Sequence, residues 1–194
     1  MQLALQVVNA FVAEDPGSRA FSGNPAAVCV LEQWLQDDLM QAIAQQNNLS
    51  ETAFLVPVDE AYELRWFTPS VEVNLCGHAT LASAHVLLTK LKQTQDQIVF
   101  KTRSGSLIAK RKGELIQLDF PADVPKPLSM AERHRVLAIL AQACGCAPSH
   151  VLLADDVVAV YDDVSLIRDM QPQQEALRQL PGRGLVVTAA DLKG

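Results

Sequence analysis

An α+β fold, with strands wrapped around one buried helix, is what this sequence predicts, and three observations carry the prediction. From Ala79 to Leu88, the residues Ala79, Leu81, Ala82, Ala84, Val86, Leu87 and Leu88 leave almost no polar face. A helix that is apolar all round is buried in a core or in a membrane, and this one is too short to span a bilayer. Residues 97–103, 106–112 and 114–120 read as three successive strands, with Ser104-Gly105 and Lys112-Gly113 as the tight turns between them. Finally, strands and helices do not alternate at βαβ spacing, and no Gly-x-Gly-x-x-Gly or phosphate loop occurs.

The remaining elements follow from local chemistry. Residues 3–11 are rich in strand formers. Phe21-Ser22-Gly23-Asn24-Pro25 reads as a turn, and residues 26–31 as a short buried strand. Asp37 and Asp38 open a helix whose Leu39, Met40 and Ile43 fall at helical spacing, and Asn47-Asn48 closes it. The polar triplet Ser50-Glu51-Thr52 leads into an apolar strand, and residues 62–68 form another. Pro121-Ala122-Asp123-Val124-Pro125-Lys126-Pro127 is a stiff joint. It divides the chain into a domain at 1–120, a linker at 121–127 and a smaller segment at 128–194. In that segment a helix at 131–143, strands at 151–154 and 157–161, a weaker helix at 173–180 and a strand at 184–188 are expected. No apolar central helix accompanies them, so the second domain reads as incomplete, and a segment of this size is marginal as an independent fold.

Composition bounds the function. Of 194 residues, 49% are apolar and 20% charged, so a packed core is expected and disorder is not. A formal net charge of −6 argues against nucleic acid or an anionic membrane surface as partner. The first residues lack a basic region followed by an apolar run, so no signal peptide is expected. Cys29, Cys76, Cys144 and Cys146 lack the spacing of a zinc site or disulfide framework. A cytoplasmic protein with free thiols and no metal is the expectation.

Chemistry concentrates where the central helix begins. Its first N–H groups lack intrahelical partners and carry the positive end of the helix dipole. Cys76, Gly77 and His78 stand there, and glycine allows a ligand close to the backbone. A small anion beside an ionisable histidine is therefore the first functional hypothesis. Glu51 has two readings: an ordinary solvated turn residue, or a carboxylate partly desolvated at the mouth of an apolar strand and suited to proton transfer. His78 is either a ligand-side group or a histidine satisfied by backbone. Cys76 is a thiolate if the helix terminus lowers its pKa, or a small buried apolar residue. His85 lies roughly 10 Å further along the helix than His78 at 1.5 Å per residue, so the two cannot share a metal ion. His134 and His150 read as surface residues.

The order of five stretches is more specific than any one of them. Gly23-Asn24-Pro25-Ala26-Ala27-Val28, Leu49-Ser50-Glu51-Thr52-Ala53-Phe54 and Arg65-Trp66-Phe67-Thr68-Pro69 are followed by Leu75-Cys76-Gly77-His78-Ala79-Thr80 and Leu118-Asp119-Phe120-Pro121-Ala122. Together they resemble the phenazine-biosynthesis PhzF-like family of isomerases, and residues 184–189 resemble that family's second-domain strand.

The resemblance implies a diaminopimelate epimerase-like fold, in which two similar domains each wrap a sheet around a central helix and the active site lies between them. It implies that Glu51 is a general acid/base that moves a proton between carbons of a small carboxylated metabolite, without metal or organic cofactor. Asn24, Ser50, Gly77 and His78 are the implied substrate-holding residues. Cys76 falls where epimerase and racemase relatives carry a catalytic thiol, and is expected to be vestigial. Family members continue into a Gly-rich segment supplying an aspartate and a serine, which has no counterpart between Pro121 and Gly194. The chain is thus expected to be C-terminally truncated and weakly active, and to form a homodimer through the segment after Pro127. Alternatives are a non-catalytic remnant that binds a small ligand, or a racemase using Cys76.

Overall fold

A computed structural model of the chain describes residues 3–12, 22–90 and 96–190. They form two compact units, Met1–Pro121 and Ala122–Gly194. Phe21, the first residue of the expected turn, lies outside the described residues.

The first unit is an eight-stranded sheet curled around a helix. Strand β1 (Gln6–Ala10) pairs antiparallel with β2 (Asn24–Val30), which runs parallel to β3 (Glu51–Val58). Helix α1 (Asp37–Asn47) makes the crossover between them and ends on Asn48, which is left-handed at φ 51°. Strand β4 (Ala61–Phe67) pairs with β3 and with the two-residue β5 (Glu72–Val73). After helix α2 (Gly77–His85), β6 (Gln97–Thr102) pairs parallel with β4, and β7 (Gly105–Lys112) and β8 (Leu115–Asp119) complete the meander. Three corrections belong here. Asn24 and Pro25 are in β2, not in a turn; β5 was not foreseen; and the helix widens to π geometry at 86–90.

Helix α2 is the core. Ala79, Ala82, Ala84, Val86, Leu87 and Leu88 are buried against Val28, Leu55, Trp66, Phe100 and Leu107 from the sheet's inner face. Its small side chains let strands approach closely. The two hydroxyls this buries donate to the preceding turn, Thr80 Oγ1 to the Cys76 carbonyl at 2.6 Å and Ser83 Oγ to the Ala79 carbonyl at 2.7 Å, so neither is left unsatisfied. On the outer face Met40 and Ala44 of α1 pack on Cys29, Phe54, Val56 and Phe67. Strands β2 and β3 are thus covered on both sides, which is why Ala26–Leu31 and Ala53–Val56 read as continuous apolar runs.

One cluster ties these layers together. Arg65 of β4 lies between the rings of Trp34 and Phe67, 5.3 and 5.2 Å from their centroids. It donates twice to Glu72 (2.8 and 2.7 Å) and once to Asp37 at 2.9 Å. This fork fixes β5 against β4, and so sets where the chain enters α2.

The second unit is a four-stranded sheet in the order β12-β11-β10-β9. The strands are β9 (Lys126–Pro127), β10 (His150–Leu153), β11 (Val157–Tyr161) and β12 (Leu185–Ala189). The proline-rich stretch read as a linker therefore ends in a strand. Helix α3 (Met130–Cys144) opens with a capping box of Ser129 and Glu132, and two short helices, α4 (Val164–Arg168) and α5 (Gln174–Leu177), precede β12. The helix expected at 131–143 is α3, and it covers one face of this sheet: Val136, Leu140 and Ala143 bury Val151, Val157, Ala159 and Tyr161. Side chains alternate along a strand, so Leu152, Val158 and Val160 point the other way and are only half-buried, and Val186 is 45% exposed.

Candidate active site

Glu51 is the first residue of β3, paired in register with Ala26 of β2. Sheet register therefore delivers its side chain to the end of the barrel-like sheet where α2 begins. The Glu51 Oε2 and His78 Nε2 atoms are 3.1 Å apart, with side chains 17% and 11% exposed. Both atoms are buried, yet their alignment is too poor for a hydrogen bond. The other ring nitrogen of His78, Nδ1, is 3.4 Å from Cys76 Sγ. Glu51, Cys76 and His78 thus form one cluster whose donor atoms lie within 4.8 Å of one another.

Burial decides the charge states here. Desolvation lowers the His78 pKa, against the Glu51 carboxylate, which favours the imidazolium. The Cys76 thiol is pushed up to about 12, first by burial and then by the Glu51 carboxylate; the backbone N–H groups of Ala79 and His78 act in the opposite sense. The thiolate suggested by a helix N-terminus is corrected accordingly: the dipole acts, and burial outweighs it. Cys76 stands as a neutral thiol with its sulfur 3.4 Å from His78 Nδ1.

The rim is polar. Ser50 Oγ donates to Asn24 Oδ1 at 2.9 Å, and Asn47 Nδ2 donates to Thr52 Oγ1 at 3.1 Å. Ser50, the residue before Glu51, is exposed, and Asn24 is half-buried. Gly77 opens α2 with Cys76 as its N-cap, and no side chain caps the helix. A Cβ built on Gly77 would meet only Phe120 Cε2, at 3.5 Å. The backbone there is open to a ligand without being strained.

The five sequence-derived residues Asn24, Ser50, Glu51, Gly77 and His78 and the thiol of Cys76 all belong to this end of the first unit. Sequence reasoning missed Asn47, whose amide orders the strand entry through Thr52, and Arg65, which positions β5. Arg65 lies within the Arg-Trp-Phe-Thr-Pro stretch, so the motif marked it without revealing its role.

Comparison with known proteins places this geometry. The family model described as "Phenazine biosynthesis-like protein" matches residues 8–194. The chain belongs to the phenazine biosynthesis-like (PhzF) family. It is 48% identical over 189 residues to an uncharacterized isomerase of Pseudomonas aeruginosa, covering 97% of this chain and 69% of that protein. A second uncharacterized isomerase of the same organism is 45% identical over 194 residues, covering 100% and 70%. A crystal structure of a PhzF-family phenazine biosynthesis protein from Enterococcus faecalis superposes with a TM-score of 0.84 at 40% identity, over 97% of this chain and 69% of that one. The α+β, diaminopimelate epimerase-like architecture is therefore that of the PhzF family. No helix among the described residues is long and apolar enough to cross a membrane.

Proposed function

We propose that this PhzF-family chain is an isomerase that moves a proton between carbon atoms of a small carboxylated metabolite, with Glu51 as the general acid/base. The observation that supports the reading most directly is the 3.1 Å approach of the Glu51 carboxylate to His78 at the first turn of a buried helix. Burial favours a neutral imidazole, so the carboxylate is not locked in a strong ion pair and stays available to a substrate C–H. The substrate carboxylate sits at the α2 N-terminus against the Gly77 and His78 N–H groups, where the helix dipole favours negative charge. Asn24 and Ser50 hold the solvent side.

In the proposed cycle, the Glu51 carboxylate takes a proton from the carbon next to the substrate carboxylate. The electron pair left behind delocalises toward the carboxylate and an adjacent double bond. Glu51 then returns the proton to the far carbon of that system. The species transferred is a proton and no net oxidation occurs, so the reading calls for no cofactor. The neutral Cys76 thiol steadies Glu51 and takes no proton itself, which disfavours the racemase alternative.

The test is proton exchange in D2O, followed by NMR, with but-3-enoate and longer β,γ-unsaturated acids as probes. Glu51→Gln is expected to lower exchange by roughly 10²–10⁴-fold, while Cys76→Ser leaves most of it. Equal rates in Glu51→Gln and the parent protein would sink the assignment. Binding of these acids without exchange would favour the non-catalytic, ligand-holding alternative.

A further inference from the structure

We propose that Glu51, Cys76 and His78 also form a seat for one thiophilic divalent cation of the zinc class, which blocks the site when bound. The three residues come from two elements remote in sequence, the start of β3 and the entry to α2, and each offers one ligand atom within 4.8 Å of the other two. A tetrahedral ion with bonds of about 2.0 Å to nitrogen and oxygen and about 2.3 Å to sulfur holds its donors roughly 3.3–3.6 Å apart. Glu51 Oε2 to His78 Nε2 is already 3.1 Å, while Cys76 Sγ lies 3.4 Å from the other ring nitrogen, so closure of all three on one ion requires the Cys76 side chain or the imidazole to turn.

A second observation points the same way. Glu51 Oε2 and His78 Nε2 are buried atoms without an aligned hydrogen bond, and unpaired buried polar atoms are unfavourable unless something binds them. A cation between them satisfies both at once. On coordination the Cys76 thiol loses its proton to solvent and its sulfur bonds the ion. One sulfur, one nitrogen and one carboxylate oxygen leave a fourth position for water or an anion. This donor set suits zinc and cobalt(II) better than magnesium or calcium, which prefer oxygen ligands. The ion takes up the Glu51 carboxylate, so it competes with proton transfer. That consequence rests on the isomerase reading; the binding does not.

The experiment is a cobalt(II) titration of chelator-treated full chain, read by absorbance. One equivalent is expected to produce a near-ultraviolet thiolate-to-cobalt band and the intense visible bands of a tetrahedral site, and zinc is expected to erase both. Cys76→Ser should abolish the thiolate band, and Glu51→Gln should weaken binding at least tenfold while keeping it. A Cys144→Ser/Cys146→Ser variant should behave like the parent, because those thiols lie in the other unit. Absence of a thiolate band in folded protein overturns the proposal, as does a band that persists in Cys76→Ser or disappears with Cys144 and Cys146. In the exchange assay, zinc should suppress turnover. A titration that succeeds on a protein with no exchange activity would refute the isomerase reading and leave the metal seat standing.

Discussion

Replacing Gly77 with alanine separates what the start of α2 does for the fold from what it does for a ligand. Gly77 is not among the positive-φ glycines, and an added Cβ meets only the Phe120 ring, at 3.5 Å, an ordinary contact. Alanine therefore fits without strain and reduces the freedom of the unfolded chain, which stabilises the protein by about 0.4–1 kcal/mol. For a unit of this size that corresponds to a rise in melting temperature of roughly 2–5 °C. The methyl group also stands beside the first N–H groups of the helix, where the proposed carboxylate binds. Losing hydrogen bonds to a charged group costs about 1.5–3 kcal/mol, so binding of but-3-enoate should weaken roughly ten- to a hundredfold. Thermal unfolding and NMR titration read the two effects independently. A Gly77→Ala protein destabilised by more than about 1 kcal/mol would refute the packing argument. A more stable protein with unchanged affinity would refute the helix terminus as the anion seat.

Three other outcomes follow from the same geometry. Burial lowers the His78 pKa from 6.5, so the unfolded chain takes up this proton more readily than the folded one; the contribution to stability is complete above pH 6.5 and is lost as pH falls through the folded value, and His78→Asn should flatten that part of a denaturation profile. Gly23 has φ +83°, and a Cβ there would lie 2.4 Å from the Ala10 carbonyl oxygen; Gly23→Ala should destabilise by about 1–3 kcal/mol in chemical denaturation, and a neutral result would show that the β1–β2 connection differs. Arg65→Met keeps apolar contact with Trp34 and Phe67 but removes the two-pronged fork from Glu72, which is 14% exposed and keeps Arg103 at 2.8 Å; a loss of about 0.5–1.5 kcal/mol is expected, larger than for Arg65→Lys, and an equal loss in both would mean that the fork geometry contributes nothing.

The sequence by itself determined the features that depend on short-range order. The run Ala79–Leu88 read as a buried helix, because nearly every face of it is apolar and it is too short to span a bilayer, and it became the core on which Trp66, Phe100 and Leu107 pack. Gly105 and Gly113 adopt φ of 94° and 61°, the left-handed geometry that glycine favours, so the meander β6-β7-β8 was legible from its turns. Motif order marked Glu51, Gly77 and His78. Only the tertiary structure brought Glu51 to 3.1 Å from His78, since that approach depends on the register of β3 against β2 and on where β5 hands the chain to α2. The charge state of Cys76 was likewise invisible locally. A helix terminus favours a thiolate, but desolvation by residues distant in sequence outweighs it and raises the thiol to about 12. Likewise β9 escaped notice, because Lys126–Pro127 looks like a strand only once β10 is there to pair with it. Periodicity and turn chemistry act over a few residues, whereas register, burial and the meeting of charged groups are set by segments far apart in the chain.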